Sequence, residues 1–181
     1  MDVKPENLLL LSSTVPYHAV LTDFGSAVSF AGTNAVRTDV LGTASYVAPE
    51  VLRKQYFPTS ADMWSAGITA FTLLAGDPPY DGPYSDLTLR RILTTKLIIP
   101  LSISKRCSTA CQNFLMMLLR RSPSLRASSG VALDHPWIVH KGEYSETMEV
   151  LEPDDPKDDP LYDDLAPNRS AVAHPLTVCP A

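Results

Sequence analysis

The pattern of apolar and polar positions predicts two short strands near the N-terminus, followed by helices. The apolar runs at 7–11 and 18–23 are separated by a polar segment that ends in proline, which is typical of two strands joined by a turn. Later segments near 85–95, 107–119 and 128–134, which are separated by proline-containing breaks, predict further helices. We therefore expect an α+β fold that is mainly α-helical.

One further segment, residues 60–76, is predicted to be the central helix. It begins at Ser60, a good N-cap, and ends at Gly76, a good C-terminal stop. Asp62 is its only charged residue. A helix that is apolar on every face is expected to be buried on every face, so this helix should lie at the centre of the core.

Composition excludes several classes of protein. The 181 residues are 45% apolar and carry a net charge of -5, the profile of a folded domain. No apolar run reaches the roughly 18 residues that span a bilayer, and no secretory signal pattern is present. We expect an intracellular, cytoplasmic protein without a membrane contact. Since no basic patch with interleaved aromatic residues occurs, we expect no nucleic-acid partner.

The charge is unevenly distributed, and the change predicts a domain boundary near residue 142. Residues 143–165 hold ten acids and one base, whereas residues 1–142 hold 13 bases and 10 acids. The acidic stretch is rich in proline and has little apolar periodicity, so it cannot offset the entropy lost on ordering. We predict a folded domain over 1–142 and an acidic, Pro-rich disordered tail over 143–181. A partner-binding tail is the alternative.

Several motifs that are weak alone become informative through their order. In chain order they are Asp2 with Asn7, Asp23-Phe24-Gly25, Gly42-Thr43, Ala48-Pro49-Glu50 and Asp62 with Trp64. Over roughly residues 2–138 this set resembles the C-terminal lobe of a eukaryotic serine/threonine protein kinase, from the catalytic loop to the last helix. The segments YVAPE and HPWI are similar to those of the calmodulin-dependent kinase group.

The resemblance implies transfer of a phosphoryl group from ATP to Ser or Thr hydroxyls of protein substrates, with Mg²⁺ as a second cofactor. Asp2 would orient and deprotonate the hydroxyl, and Asn7 and Asp23 would hold Mg²⁺. Lys4 would contact the transferred phosphate, and Thr43 would support Lys4 beside Asp2. We expect the side chains at positions 2, 7 and 23 to converge around one divalent ion.

Other matched residues have structural roles by the same resemblance. Glu50 and Arg126 would form a buried ion pair that ties the loop before the central helix to the late helices. Asp62 would hydrogen-bond the backbone of the catalytic loop and complement the N-terminus of its own helix.

Specificity and regulation are implied at three further positions. Glu6 would favour substrates with a basic residue upstream of the phosphorylation site. Asp39 stands three residues before Gly42, where kinases of this type often carry a regulatory phosphothreonine, and Thr38 is its neighbour. Asp39 would act as a permanent substitute, with about one negative charge instead of the -1.5 to -2 of phosphate; an exposed acidic loop is the alternative.

The resemblance is partial. The family's catalytic loop begins His-Arg-Asp, but here Met1 stands in place of the Arg, and nothing in the 181 residues matches the small N-terminal lobe. We expect a fragment that is inactive alone and whose apolar surface needs the missing lobe or a covering partner. Two alternatives remain: a non-catalytic kinase-like binding module or scaffold, and an internal start imposed on a longer gene.

Overall fold

The computed structural model describes the chain over residues 2–15, 17–28, 43–55, 58–141 and 148–158. Within these ranges the chain is mainly helical and holds one two-stranded sheet. The helices are α1 (Pro49–Leu52), α2 (Pro58–Ala75), α3 (Ser85–Thr94), α4 (Leu101–Ser104), α5 (Thr109–Leu118), α6 (Ser129–Leu133) and α7 (Pro136–Val139). The predicted fold class is therefore confirmed. In the same ranges no helix is long and apolar enough to cross a membrane.

The two predicted strands pair with each other. Strands β1 (Leu8–Leu10) and β2 (Ala19–Leu21) are antiparallel, with Leu9 opposite Val20. A further backbone bond, from the Thr22 N–H to the Asn7 carbonyl at 2.8 Å, extends the pairing by one step beyond the strands. The sheet therefore brings the segment before β1 next to the segment after β2.

The central helix α2 begins two residues before Ser60, the predicted N-cap. Proline suits the first position of a helix because that position needs no N–H donor, and Pro58 occupies it. Ser60 Oγ instead donates to the Pro123 carbonyl at 3.1 Å. The predicted stop is confirmed, since Gly76 follows the helix with a φ of 97°, a left-handed conformation that favours glycine.

Helix α2 supplies much of the core. Trp64, Ile68 and Phe71 are buried, and the Trp64 ring stacks on that of Tyr80 with centroids 6.0 Å apart. Burial is not complete on every face, since Leu73 near the end of the helix is 68% exposed, which agrees with the expectation that part of the apolar surface lacks its covering partner. An apolar sequence marks a helix that can be covered, but it does not show which faces a neighbouring element covers.

The three other predicted helices correspond to α3, α5 and α6. Serine caps two of them: the hydroxyl of Ser108 accepts from the Cys111 N–H at 3.2 Å, and that of Ser128 accepts from the Val131 N–H at 3.4 Å. Helices α4 and α7 were not predicted, because four residues are too few to display a helical period.

Residues 148–158 lie against the helical domain, which the sequence did not predict. The Asn113 side chain hydrogen-bonds the backbone of Glu149 and Leu151, and Asp154 forms an ion pair with Arg120. Composition suggested a solvated tail because it carries no information on such pairwise contacts. Residues 142–147 and 159–181 lie outside the described residues, so the boundary at 142 and the disordered remainder of the tail stay predictions.

Candidate active site

Residues 2–7 form a tight loop immediately before β1. Pro5 opens a 3-10 turn over Pro5–Asn7, and the Asn7 N–H donates to the Lys4 carbonyl at 3.0 Å. The buried side chain of Asn7 donates through Nδ2 to the Asp2 carbonyl at 2.7 Å. The loop therefore folds back on itself and fixes Asp2 and Asn7 relative to each other.

Asp2, Lys4 and Thr43 form a triangle of polar contacts. Lys4 Nζ lies 2.8 Å from Asp2 Oδ2 and donates to Thr43 Oγ1 at 2.6 Å. Thr43 donates to Asp2 twice, from its N–H to Oδ1 at 3.0 Å and from its hydroxyl to Oδ2 at 3.1 Å. Lys4 and Thr43 are 39 residues apart in the chain, so the triangle is a product of the tertiary fold.

These contacts hold Asp2 in its ionised form. Burial raises the pKa of Asp2, but the hydrogen bonds from Lys4 and Thr43 and the charge of Lys4 together outweigh burial, so the pKa lies below the ordinary 3.8. The hydrogen bond to Asp2 raises the pKa of Lys4 above its usual value against the opposing effect of burial, and the charges of Asp2, Glu6 and Asp23 add to the rise. Lys4 therefore stays positively charged.

Asp23 lies within electrostatic reach of the triangle, since its charge contributes to the raised pKa of Lys4. Its backbone is left-handed, with a φ of 55°, and its Oδ1 accepts from the Gly25 N–H at 3.2 Å. A Cβ on Gly25 would lie 3.1 Å from that oxygen. Glycine therefore permits the close turn that fixes the Asp23 carboxylate after β2.

The structure thus brings Asp2, Lys4, Asn7 and Thr43 into contact, with Asp23 nearby. Over the described ranges, no three His, Cys, Asp or Glu side chains form a group that could hold a metal ion. Both carboxylate oxygens of Asp2 bond within the triangle. A metal site here would therefore depend on Asn7 and Asp23, and a shared ion among positions 2, 7 and 23 stays a prediction.

Glu50 and Arg126 form an ion pair in the core. Their two nitrogen–oxygen contacts measure 2.5 and 2.9 Å, and both side chains are fully excluded from solvent. Arg126 also donates to the Ser60 carbonyl at 2.8 Å and lies over the Trp64 ring, 5.1 Å from its centroid. The pair joins α1 to α2 and to the turn before α6.

Two sets of predictions are not decided by this geometry. Asp62 lies in the second turn of α2 and is partly buried, and its hydrogen bond to the catalytic loop stays a prediction. Thr38 and Asp39 lie outside the described residues, so their regulatory role also stays a prediction.

Sequence reasoning missed the hydroxyl groups that attach the site to α2. Ser65 Oγ donates to the Tyr46 carbonyl at 2.8 Å, and Thr69 Oγ1 lies 3.5 Å from the Val3 carbonyl oxygen. Ser65 and Thr69 are four residues apart and so lie on one face of α2. Two hydroxyl groups with this spacing in a largely apolar helix were the available signal.

A second missed contact supports the segment that carries Thr43. Ser45 Oγ donates to Asp81 Oδ1 at 2.8 Å, and the Asp81 carbonyl accepts from the Arg91 side chain. Ser45 and Asp81 are 36 residues apart, and no local pattern links them.

Comparison with known proteins identifies the family of this chain. Residues 1–138 match the family model described as the protein kinase domain. The chain belongs to the protein kinase family. The chain is 38% identical over 138 residues to "Calcium-dependent protein kinase 29" of Arabidopsis thaliana, and 41% identical over 138 residues to "Calcium-dependent protein kinase 11" of the same plant. It is 33% identical over 150 residues to "Calcium/calmodulin-dependent protein kinase cmkA" of Emericella nidulans.

These matches cover 76% to 83% of the chain but only 26% to 36% of the length of these three relatives. The resemblance to protein kinases, and to the calmodulin-dependent group among them, is therefore confirmed. The chain spans about a quarter to a third of each relative, so the activity of a whole kinase is not shown for it.

Proposed function

We propose that the chain is the catalytic lobe of a serine/threonine protein kinase, which transfers the γ-phosphoryl group of ATP to Ser or Thr hydroxyls. The observation that carries this proposal is the triangle of Asp2, Lys4 and Thr43. It combines an ionised carboxylate, a fixed positive charge and a hydroxyl within 3.1 Å of one another. Phosphoryl transfer depends on such positioned charges more than on covalent chemistry.

Asp2 is the proposed group that accepts the proton of the substrate hydroxyl. Its lowered pKa keeps it ionised at neutral pH, so it is ready to orient the hydroxyl through a hydrogen bond. Lys4 is the proposed partner of the transferred phosphate, whose negative charge it would stabilise. Thr43 bonds both groups and holds them in place, and this Lys–Thr pairing supports Ser and Thr over Tyr as acceptors.

Asn7 and Asp23 are the proposed ligands of Mg²⁺, and their donor atoms fit this ion. Asn7 uses Nδ2 on the Asp2 carbonyl, which leaves its carbonyl Oδ1 as the ligand atom. Asp23 uses Oδ1 on the Gly25 N–H, which leaves Oδ2. Mg²⁺ prefers carboxylate and carbonyl oxygens. When bound with ATP, the ion would neutralise charge on the phosphates.

Substrate preference is proposed to follow the negative field beside the site. Glu6 is exposed, and its charge adds to that of Asp2 and Asp23 around Lys4. A basic residue upstream of the acceptor hydroxyl would complement this field. Thr38, or Asp39 as a permanent charge, is the proposed regulatory position.

The chain is proposed to need a further lobe or a covering partner for activity. The hairpin exposes six apolar residues, namely Leu9, Leu10, Leu11, Val15, Tyr17 and Val20. Exposed apolar surface on this scale supports a need for a covering partner. The 181 residues also hold no match to the family's Gly-rich phosphate loop. We therefore expect no kinase activity from the chain alone. We also propose an intracellular location, because the proposed reaction uses ATP.

Metal binding can be tested on the chain itself. We expect Mn²⁺ with ATP to broaden the NMR signals of residues around Asn7 and Asp23, and the effect to disappear in Asp23→Asn. Asp134→Asn, an exposed acid-to-amide change remote in sequence from the loop, is the control. Equal broadening in all three proteins would contradict the metal site and favour a non-catalytic scaffold.

Catalysis can be tested in a protein that joins this chain to an N-terminal kinase lobe. Phosphorylation of a Ser-containing peptide is expected, with a loss of about 10²-fold or more in Asp2→Asn, the range for removal of a general base. Activity that survives this substitution would contradict the role of Asp2. Sequencing of the transcript upstream of Met1 separately tests whether His-Arg codons precede it in frame.

A further inference from the structure

The acidic segment after the kinase domain runs along one side of α5. We call residues 148–158 the strap. It lies beyond residues 1–138, the part of the chain that matches the kinase family. Its first contact is made by the Met148 N–H, which donates to Thr109 Oγ1 at 3.2 Å.

The strongest observation is the environment of Asn113 in α5. Its side chain is only 3% exposed. Nδ2 donates to the Glu149 carbonyl at 2.7 Å, and Oδ1 accepts from the Leu151 N–H at 2.7 Å. The amide therefore bonds the strap main chain through both of its polar atoms. Removal of the strap would take away both bonds and leave water as the only partner of the amide.

The spacing of the contacts matches an extended peptide on a helix. Thr109 and Asn113 are four residues apart, about 6 Å along an α-helix. On the strap, Met148 and the midpoint of the Asn113 contacts are two residues apart, about 6.6 Å along an extended chain. The distance between the two contacts is therefore nearly the same along α5 and along the strap.

Asp154 provides the charged contact at the far end of the strap. Its Oδ1 lies 2.5 Å from Arg120 Nη1, and its Oδ2 accepts from the Arg121 N–H at 2.7 Å. Arg120 also donates to the Glu152 carbonyl at 3.2 Å. One carboxylate thus bonds a side chain and a backbone group together, and its geometry is specific for an acid at this position.

The contact continues into α3 through the Arg121 side chain. Its guanidinium donates to the carbonyls of Ile92, Leu93 and Thr95 at the C-terminal end of α3. Cations stabilise this end of a helix because its last carbonyls are unpaired. Asp154 bonds the backbone of Arg121 and so holds the residue that caps α3.

We propose that Thr109, Asn113, Arg120 and the Arg121 N–H form a docking site for an extended acidic segment, and that its occupant is the chain's own strap. The site binds the main chain of residues 148–152 and selects an acid at position 154. Docking stabilises the end of α3. This proposal does not depend on catalytic activity.

Amide hydrogen exchange on the 181-residue chain tests the proposal. In Asp154→Asn, protection of the Arg121 and Leu151 amides is expected to fall about tenfold, the effect of losing one hydrogen bond to a charged group. Protection in α2 should not change, which reports that the domain stays folded. Asp158→Asn removes the same charge from an exposed strap position and should leave protection within about twofold.

A second variant separates a specific contact from general charge. Arg120→Gln should lower the same protection, and the double variant should lose less than the sum of the single losses in free energy, because the residues act as a pair. Unchanged protection in Asp154→Asn, an equal loss in Asp158→Asn, or additive losses in the double variant would each overturn the proposal.

Discussion

Arg126 donates to the Glu50 carboxylate from two guanidinium nitrogens, and both side chains are excluded from solvent. Arg126 donates further to the carbonyls of Arg120, Arg121 and Ser60. Each charge is therefore compensated inside the fold. A pair of this kind contributes little net stability as a unit, but it makes either residue costly to remove alone.

Glu50→Gln is expected to lower the free energy of unfolding by about 3 to 5 kcal/mol, since it leaves the buried Arg126 charge without its counterion. Urea denaturation followed by circular dichroism measures this. Glu149→Gln is the matched control, because the Glu149 side chain is exposed and the residue contacts Asn113 through its backbone carbonyl. A loss in Glu50→Gln no greater than in the control would contradict the account of the pair.

The Thr43 hydroxyl is expected to be one cause of the low pKa of Asp2. Thr43→Val keeps the shape of the side chain but removes the bond to Asp2 Oδ2, so the pKa of Asp2 should rise toward 3.8. Thr43→Ser, which keeps a hydroxyl, should leave it near the wild-type value. NMR titration of the Asp2 carboxyl carbon measures both, and the same pKa in all three proteins would contradict this cause.

The free energy of unfolding should depend on pH through the Asp2 carboxylate. The folded pKa of Asp2 is lowered, so its contribution to stability is fully present above the unfolded value of 3.8 and is lost as the pH falls through the folded pKa. The difference in unfolding free energy between wild type and Asp2→Asn should be constant near neutral pH and shrink below pH 3.8. Urea titrations at several pH values measure it; a difference that grows on acidification would reverse the sign argued here.

The sequence predicted that Asp2, Lys4 and Thr43 lie together because the order of motifs carries information that single motifs lack. Each motif was a weak signal alone, namely Asp2, Asn7, Asp23 and Thr43. Their order along the chain indicated one family and one spatial arrangement. The contacts of Asp2 and Lys4 with Thr43 follow that arrangement. The central helix was recognised for a different reason, since its length and lack of charge are local properties that need no partner.

What the sequence did not predict depends on contacts between distant residues. The docking of the strap requires Asn113 and Asp154 to meet partners more than 30 residues away, and composition favoured a solvated segment. Ser45 and Asp81 meet for the same kind of reason.

Cys111 is expected to be unreactive in the folded protein. Burial raises the pKa of this thiol to about 12, and the neighbouring Cys107 adds to the rise. The thiolate is the reactive form, so little of it exists at pH 8. Iodoacetamide followed by mass spectrometry should leave Cys111 unmodified in the native chain and modify it in urea. Rapid modification without denaturant would contradict its burial.

Gly67 is expected to be required where α2 crosses α5. A Cβ at this position would lie 2.9 Å from Leu118 Cβ and 2.9 Å from the Leu119 side chain. Gly67→Ala therefore forces the helices apart and should destabilise the domain by about 1 to 3 kcal/mol, the usual cost of overpacking, although alanine is the better helix former.

Gly130→Ala in α6 is the matched control, because the nearest atom to its added Cβ lies 3.9 Å away. It should be neutral or stabilising by up to about 1 kcal/mol. Urea denaturation of both variants separates packing from helix propensity, and a gain in stability in Gly67→Ala would show that the two helices can move apart at no cost.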